Sequence, residues 1–132
     1  ATSFNRDISS WDFGSQRFGS STFLNASSFD QDVSAWFTNG SGMNTAGSRN
    51  KKFSDFLSNC GMSVENYSRF LIGLANWANA NSVIGYRFGA TGLQYNNTTY
   101  SGIGTGVFDD AVSARGYLTG TAGWSVSDAG QA

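Results

Sequence analysis

Apolar residues recur at a fixed interval in the first third of the chain. Phe4, Ile8 and Trp11 are matched by Phe29, Val33 and Trp36, each 25 positions later, and Asp7 is matched by Asp32. The words around them, Ser3-Phe4-Asn5-Arg6-Asp7-Ile8-Ser9-Ser10-Trp11 and Ser28-Phe29-Asp30-Gln31-Asp32-Val33-Ser34-Ala35-Trp36, are copies of one another. A weaker third copy, Lys52-Phe53-Ser54-Asp55-Phe56-Leu57-Ser58, has Phe53 24 positions after Phe29, as if one residue were deleted. A period of this length predicts stacked units, none able to bury its apolar side alone. Phe4, Ile8 and Trp11 are expected to face inward from a short strand, and Phe23 and Ala26 from the return segment.

Beyond residue 58 the pattern changes. Val64, Tyr67, Phe70, Leu71, Leu74, Trp77 and Ala78 follow helical spacing, with Ser63 as N-cap and Glu65 in the first turn. This predicts a helix over 64–79. Val83 to Phe88 reads as a strand, and Asn96 to Gly106 as a polar, Gly-rich loop. Phe108, Ala111, Val112, Arg115 and Leu118 mark a second helix over 107–119. A final strand over 124–127 and a turn at Asp128-Ala129-Gly130 complete the series. The expected architecture is an α/β repeat solenoid of leucine-rich-repeat-like kind, with short strands and loops. Residues 1–59 would hold two to three 25-residue repeats, and residues 60–132 a mixed α/β cap over the last hydrophobic edge.

Composition sharpens this picture. Phe, Tyr and Trp number 11, 5 and 4, so flat rings must supply much of the core. Charged residues are 13% of the chain and net charge is −1, too few clustered cations for nucleic-acid binding. The basic group Arg49-Asn50-Lys51-Lys52 reads as a solvated turn. There is no His and Cys60 is alone, which removes the usual neutral-pH base, an intrachain disulfide and a Cys-based zinc site. Cys60 reads as a small buried apolar residue. No apolar run reaches the roughly 20 residues of a membrane span, and no signal peptide is visible. The chain opens in the middle of a repeat, as a piece of something longer would.

The carboxylates are the remaining candidates for chemistry. Asp7 and Asp32 hold equivalent places, and stacked repeats would bring them close enough to repel. Backbone N–H donors, an arginine such as Arg6, or a bound Ca²⁺ would relieve this. The spacing fits neither an EF-hand loop nor a nonapeptide calcium repeat, so no cofactor is expected and calcium is the minor alternative. No pair of acids is singled out by spacing for glycoside hydrolysis. Gly102-Ile103-Gly104-Thr105-Gly106 lacks the Lys-Ser/Thr ending of a phosphate loop. The expectation is therefore a protein that binds or builds, and not an enzyme. Candidate contacts are the outward residues of the repeat, Arg6, Asp7 and Ser9 with Gln31, Asp32 and Ser34.

Phe4-Asn5-x-Asp7-Ile8-Ser9-x-Trp11-Asp12, followed by Phe23-x-x-Ala26-x-x-Phe29, resembles the repeat of BspA-type leucine-rich-repeat surface proteins, the 25-residue form found in mycoplasma surface lipoproteins and marine bacterial secreted proteins. Asn66-Tyr67, Leu71-Ile72-Gly73, Ala114-Arg115-x-Tyr117-Leu118 and Gly123-Trp124-Ser125-Val126 resemble the closing module of such arrays. Where the family reads Val-Thr-x-Met-x-x-Met-Phe, this chain has Gln16-Arg17-Phe18-Gly19-Ser20-Ser21-Thr22-Phe23, and only the last Phe survives. The resemblance implies a secreted or cell-surface location and adhesion to protein or glycan at the cell exterior. A structural or assembly role is the alternative, with self-association through the exposed edge of the first repeat.

Overall fold

A computed structural model describes residues 3–8, 23–38, 52–53 and 55–132. Ser9, Trp11, the departure from the family repeat over 16–22, and Arg49 to Lys51 lie outside the described residues. In chain order the elements are helix α1 (Ala35–Thr38), strand β1 (Lys52–Phe53), helix α2 (Val64–Asn81), strand β2 (Arg87–Gly89), helix α3 (Ala111–Gly116), a π-helical turn (Tyr117–Thr121) and strand β3 (Ser125–Ser127). The strands form a parallel sheet in the order β1-β2-β3. Its register sets Lys52 beside Arg87 beside Ser125, and Phe53 beside Phe88 beside Val126.

Behind the sheet the chain makes one turn repeatedly. At Phe23–Ala26, Leu57–Cys60 and Ala90–Leu93 the fourth residue donates its N–H to the carbonyl of the first, at 3.0–3.1 Å. The third residue is left-handed each time: Asn25 (φ 59°), Asn59 (φ 58°) and Gly92 (φ 88°). Gly130 (φ 86°) takes the same role after Asp128. Asn and Gly are the residues that adopt this conformation at least cost. The turns stack through backbone hydrogen bonds. Phe23 N–H donates to Phe56 O, Asn25 N–H to Ser58 O, Leu57 N–H to Gly89 O, Asn59 N–H to Thr91 O, and Ala90 N–H to Ser127 O.

This stacking corrects the alignment of the third copy. The turn at Leu57–Cys60 lies beside the turn at Phe23–Ala26, so Phe53, which precedes that turn, is not the counterpart of Phe29, which follows its own. The left-handed residues lie 34, 33 and 38 positions apart, not 25. Stacked turns also continue past residue 58, where the 25-residue side-chain signature is lost. Close approach of the layers requires glycine at one point: a Cβ on Gly61 would lie 2.2 Å from the carbonyl oxygen of Ser27.

The 25-residue matches do share an environment. Phe4 stacks on Phe29 at 5.7 Å with rings 13° apart. Ile8 and Val33 are both buried, and Trp36 Nε1 donates to Ile8 O at 2.9 Å. Residues 4–8 and 29–33 are not strands, however. Asp32 accepts from the N–H and hydroxyl of Ser34, at 3.0 and 2.7 Å, and starts the short helix α1 instead.

The α2 helix is the centre of the molecule. Ser63 caps it, its hydroxyl accepting from Asn66 N–H, and the helix runs two residues beyond the expected end before a left-handed Ser82. Every residue from Tyr67 to Ala78 except Arg69 is buried, the mark of a helix enclosed on all sides. Phe70 contacts Trp36, Phe37 and Phe56 at 5.4–6.4 Å and stacks on Phe88 at 5.4 Å, joining early and late turns in one aromatic core. Asn76, fully buried, donates to Ile103 O and Phe108 O and accepts from Phe108 N–H, pinning the Gly-rich loop to the helix.

Two expected elements are shorter. The strand over 83–88 is reduced to Arg87–Gly89, because Gly85 is left-handed and Ile84 is 56% exposed. The second helix begins at Ala111, not 107, because Asp110 is its N-cap and accepts from Ser113 N–H at 2.7 Å. It ends in the π-helical turn, where Ala122 N–H donates to Tyr117 O.

Candidate functional site

The residues expected to form an outward strip have been put to several uses. Arg6 and Asp7 are exposed. Gln31 is half-buried and donates from Nε2 to Asn5 Oδ1 at 2.8 Å, bridging two turns. Asp32, besides starting α1, forms an ion pair with Arg69 of α2 at 3.2 Å. Ser34 is a correction: it is 7% exposed and faces inward, because the helical turn that Asp32 begins rotates it off the surface. Ser9 lies outside the described residues. Gln31, Asp32 and Ser34 are thus tied into the structure, and Arg6 and Asp7 remain at the surface.

The compensation of Asp32 comes from backbone, hydroxyl and Arg69, an arginine that spacing did not single out. Arg69 also pairs with Glu65 at 2.8 Å and lies over the Tyr100 ring at 5.0 Å. Asp30 plays a parallel part. Its Oδ1 accepts from Ser63 N–H at 2.7 Å and Asn66 Nδ2 at 2.9 Å, while its own N–H donates to Asn5 Oδ1. Asn5, Asp30 and Ser63 therefore form a relay that ties successive turns to the start of α2. Among the described residues no three His, Cys, Asp or Glu side chains group as metal ligands would.

A second polar network lies at the other end. Asp128, its side chain 1% exposed, accepts from Arg115 Nε at 3.0 Å, Arg115 NH2 at 3.2 Å, Tyr67 OH at 2.7 Å and Gly130 N–H at 3.0 Å. Burial first, then the charge and hydrogen bond of Asp128, push the Tyr67 hydroxyl well above its usual range, so it stays a neutral donor. Burial works against the charge on Arg115, but the hydrogen bond and charge of Asp128 outweigh it and raise its pKa. The guanidinium also lies 5.7 Å from the Tyr95 ring. Every buried side-chain donor and acceptor among the described residues is satisfied, so this is a structural lock. Cys60 is buried as expected, and burial raises its thiol pKa, the opposite of an activated nucleophile.

The same network closes the sheet edge. In β3, Ser125 N–H and Ser127 O bond toward β2. On the other side Val126 O accepts from Arg115 NH2 at 3.3 Å, and the neighbouring Trp124 N–H donates to Leu118 O at 2.7 Å. The outer edge is thereby occupied by α3 and the π-helical turn.

Among the described residues, what stays open is one face of β2 and β3. Phe88 points inward and is buried, while Arg87, Ser125 and Ser127 are exposed. Together with Phe88 these residues line a depression of about 250 Å³. Sequence reasoning missed this site. Its only signal was an Arg-Phe-Gly word and a Ser-Val-Ser word 38 residues apart, which nothing in the periodicity connects.

No described helix is long and apolar enough to cross a membrane. No curated protein and no solved structure matches the chain. Residues 1–60 match a family described as a mycoplasma protein of unknown function, DUF285.

Proposed function

We propose that this chain is the closing part of an α/β repeat solenoid on a secreted or cell-surface protein, of the BspA-type leucine-rich-repeat kind, and that it serves as an interaction module for protein or glycan. The match of residues 1–60 to a mycoplasma family supports the first half of this reading. One observation carries the second half: on one face of the parallel sheet Arg87, Ser125 and Ser127 are exposed to solvent, with nothing packed over them among the described residues. Parallel sheets are ordinarily covered on both faces, and stacked-repeat proteins are the setting in which an open sheet face serves as a binding surface. At the β3 end of the sheet the capped outer edge argues against strand pairing with another copy, which would have to displace Arg115 and Leu118.

The test is a screen of the intact chain against matrix proteins and glycans, with light scattering over a range of concentrations. A monodisperse monomer that binds saturably to one class supports the module. A monomer that binds nothing, or growth of filaments with concentration, sinks it.

A further inference from the structure

We infer that the open sheet face carries a cationic site, centred on Arg87, for a sulfated or uronate-bearing glycan; this rests on the reading of the chain as a surface interaction module. Residues two apart in a strand share a face. Ser125 and Ser127 are exposed on β3, and the register sets Ser125 beside Arg87 and Ser127 beside Gly89, which contributes no side chain. Of the described arginines, Arg69 and Arg115 are committed to carboxylates. Arg87 has no ion pair among the described residues and lines the depression with both serines. On its other side Lys52 holds the adjacent register position. β2 and β3 read Arg-Phe-Gly and Ser-Val-Ser, so neither carries an acid beside Arg87.

A guanidinium presents a planar fork that fits a carboxylate or sulfate with two parallel hydrogen bonds. Serine hydroxyls both donate and accept, as sugar hydroxyls require. A peptide would gain most of its affinity by adding a strand to a sheet edge, and the outer edge of β3 is taken by Leu118 and Arg115. A ligand held by Arg87 and the two serines would lie across the face, and an anionic oligosaccharide can do so without backbone pairing. The chain as a whole has net charge −1, so general attraction to polyanions is not expected and binding must be local.

The experiment measures binding of a heparin-derived hexasaccharide to the full chain by calorimetry, with a neutral dextran oligosaccharide and poly-glutamate as comparators. The hexasaccharide should bind, weaken with added salt, and lose about tenfold or more in affinity in Arg87→Gln, through loss of charge-assisted hydrogen bonds. Arg87→Lys should retain part of it. Arg6→Gln, at an exposed arginine on the first turn, should change affinity less than about twofold. Melting temperatures should stay level, since both side chains are exposed. Equal affinity in Arg87→Gln, an equal loss in Arg6→Gln, or preference for poly-glutamate overturns the site. If the wider screen finds a protein or neutral glycan while the hexasaccharide is ignored, this site falls and the module stands. If it finds nothing, both fall.

Discussion

The turn at Phe23–Ala26 and the turn at Ala90–Leu93 share a backbone and almost no sequence. Both close with the same hydrogen bond, and both pass through a left-handed third residue. Yet one reads Phe-Leu-Asn-Ala and the other Ala-Thr-Gly-Leu. The inward first place goes from Phe23 to Leu57 to Ala90, and bulk near the last is supplied instead by Phe88 stacked on Phe70. The segments 3–11 and 28–36 repeat their side chains; the turns repeat only what the backbone demands. The two carboxylate–arginine pairs differ in the same way. Asp32–Arg69 sits at 39% and 32% side-chain exposure, and Asp128–Arg115 at 1% and 26%. The chemistry is the same, but water is excluded from only one.

The largest effect expected is from removing residues 60–132. Trp36, Phe37 and Phe56 would lose Phe70, the ring they share, and the remaining turns should not fold. A cooperative melt of residues 1–59 alone, followed by circular dichroism, would contradict this. Next is Asp128→Ala, which strands a half-buried Arg115 and the Tyr67 hydroxyl. It should cost about 3–5 kcal/mol in urea unfolding, the usual result of breaking one side of a buried pair.

Tyr67→Phe keeps the ring and loses one hydrogen bond to a charged group, about 1.5–3 kcal/mol. It also tests a pH effect. The folded protein holds the Tyr67 hydroxyl above its unfolded value near 10. The stability this gives is complete below that pH and falls as pH rises through the folded value. Thermal midpoints should therefore drop in the alkaline range, and Tyr67→Phe should flatten the drop. An unchanged slope would show that another group, Cys60 being the first candidate, controls it.

The turns provide a finer test. Gly92→Ala places a Cβ at φ 88°, and Asn59→Ala loses a residue suited to φ 58°. Each should cost about 1–2 kcal/mol, and Asn59→Gly should be close to neutral. If Gly92→Ala is silent while Asn59→Ala is not, the two turns do not share one backbone requirement. The smallest effect is Asp32→Asn, which keeps an acceptor for Ser34 and removes the charge paired with Arg69; it should cost under about 1 kcal/mol. A loss near that of Asp128→Ala would erase the contrast between the two ends.

Local signals were legible because they act within one turn of chain. Ser63 with Glu65 marked the start of α2, and the spacing of Tyr67, Phe70, Leu71 and Leu74 marked its body. Phe23, Ala26, Ile8 and Val33 were placed inward and are buried. Asp110 carried an equally local cap signal, but Val107 and Phe108, being apolar, drew the expected start four residues early. The role of Asp128 was not legible. It read as a turn residue, and its partners Tyr67 and Arg115 are 61 and 13 positions away.

By itself, the sequence determined the aromatic core, the central helix with its cap, and the side-chain repeat of residues 3–11 and 28–36. Tertiary structure alone decided the register of the stacked turns, the inward turn of Ser34, the burial of Asp128 and the open face around Arg87. The reason is physical. Propensity, capping and periodicity are written in side chains and act over a few residues. The stack is held by N–H and C=O groups that every residue in it carries alike, across 32 to 37 positions, so its register leaves no mark in the side-chain pattern.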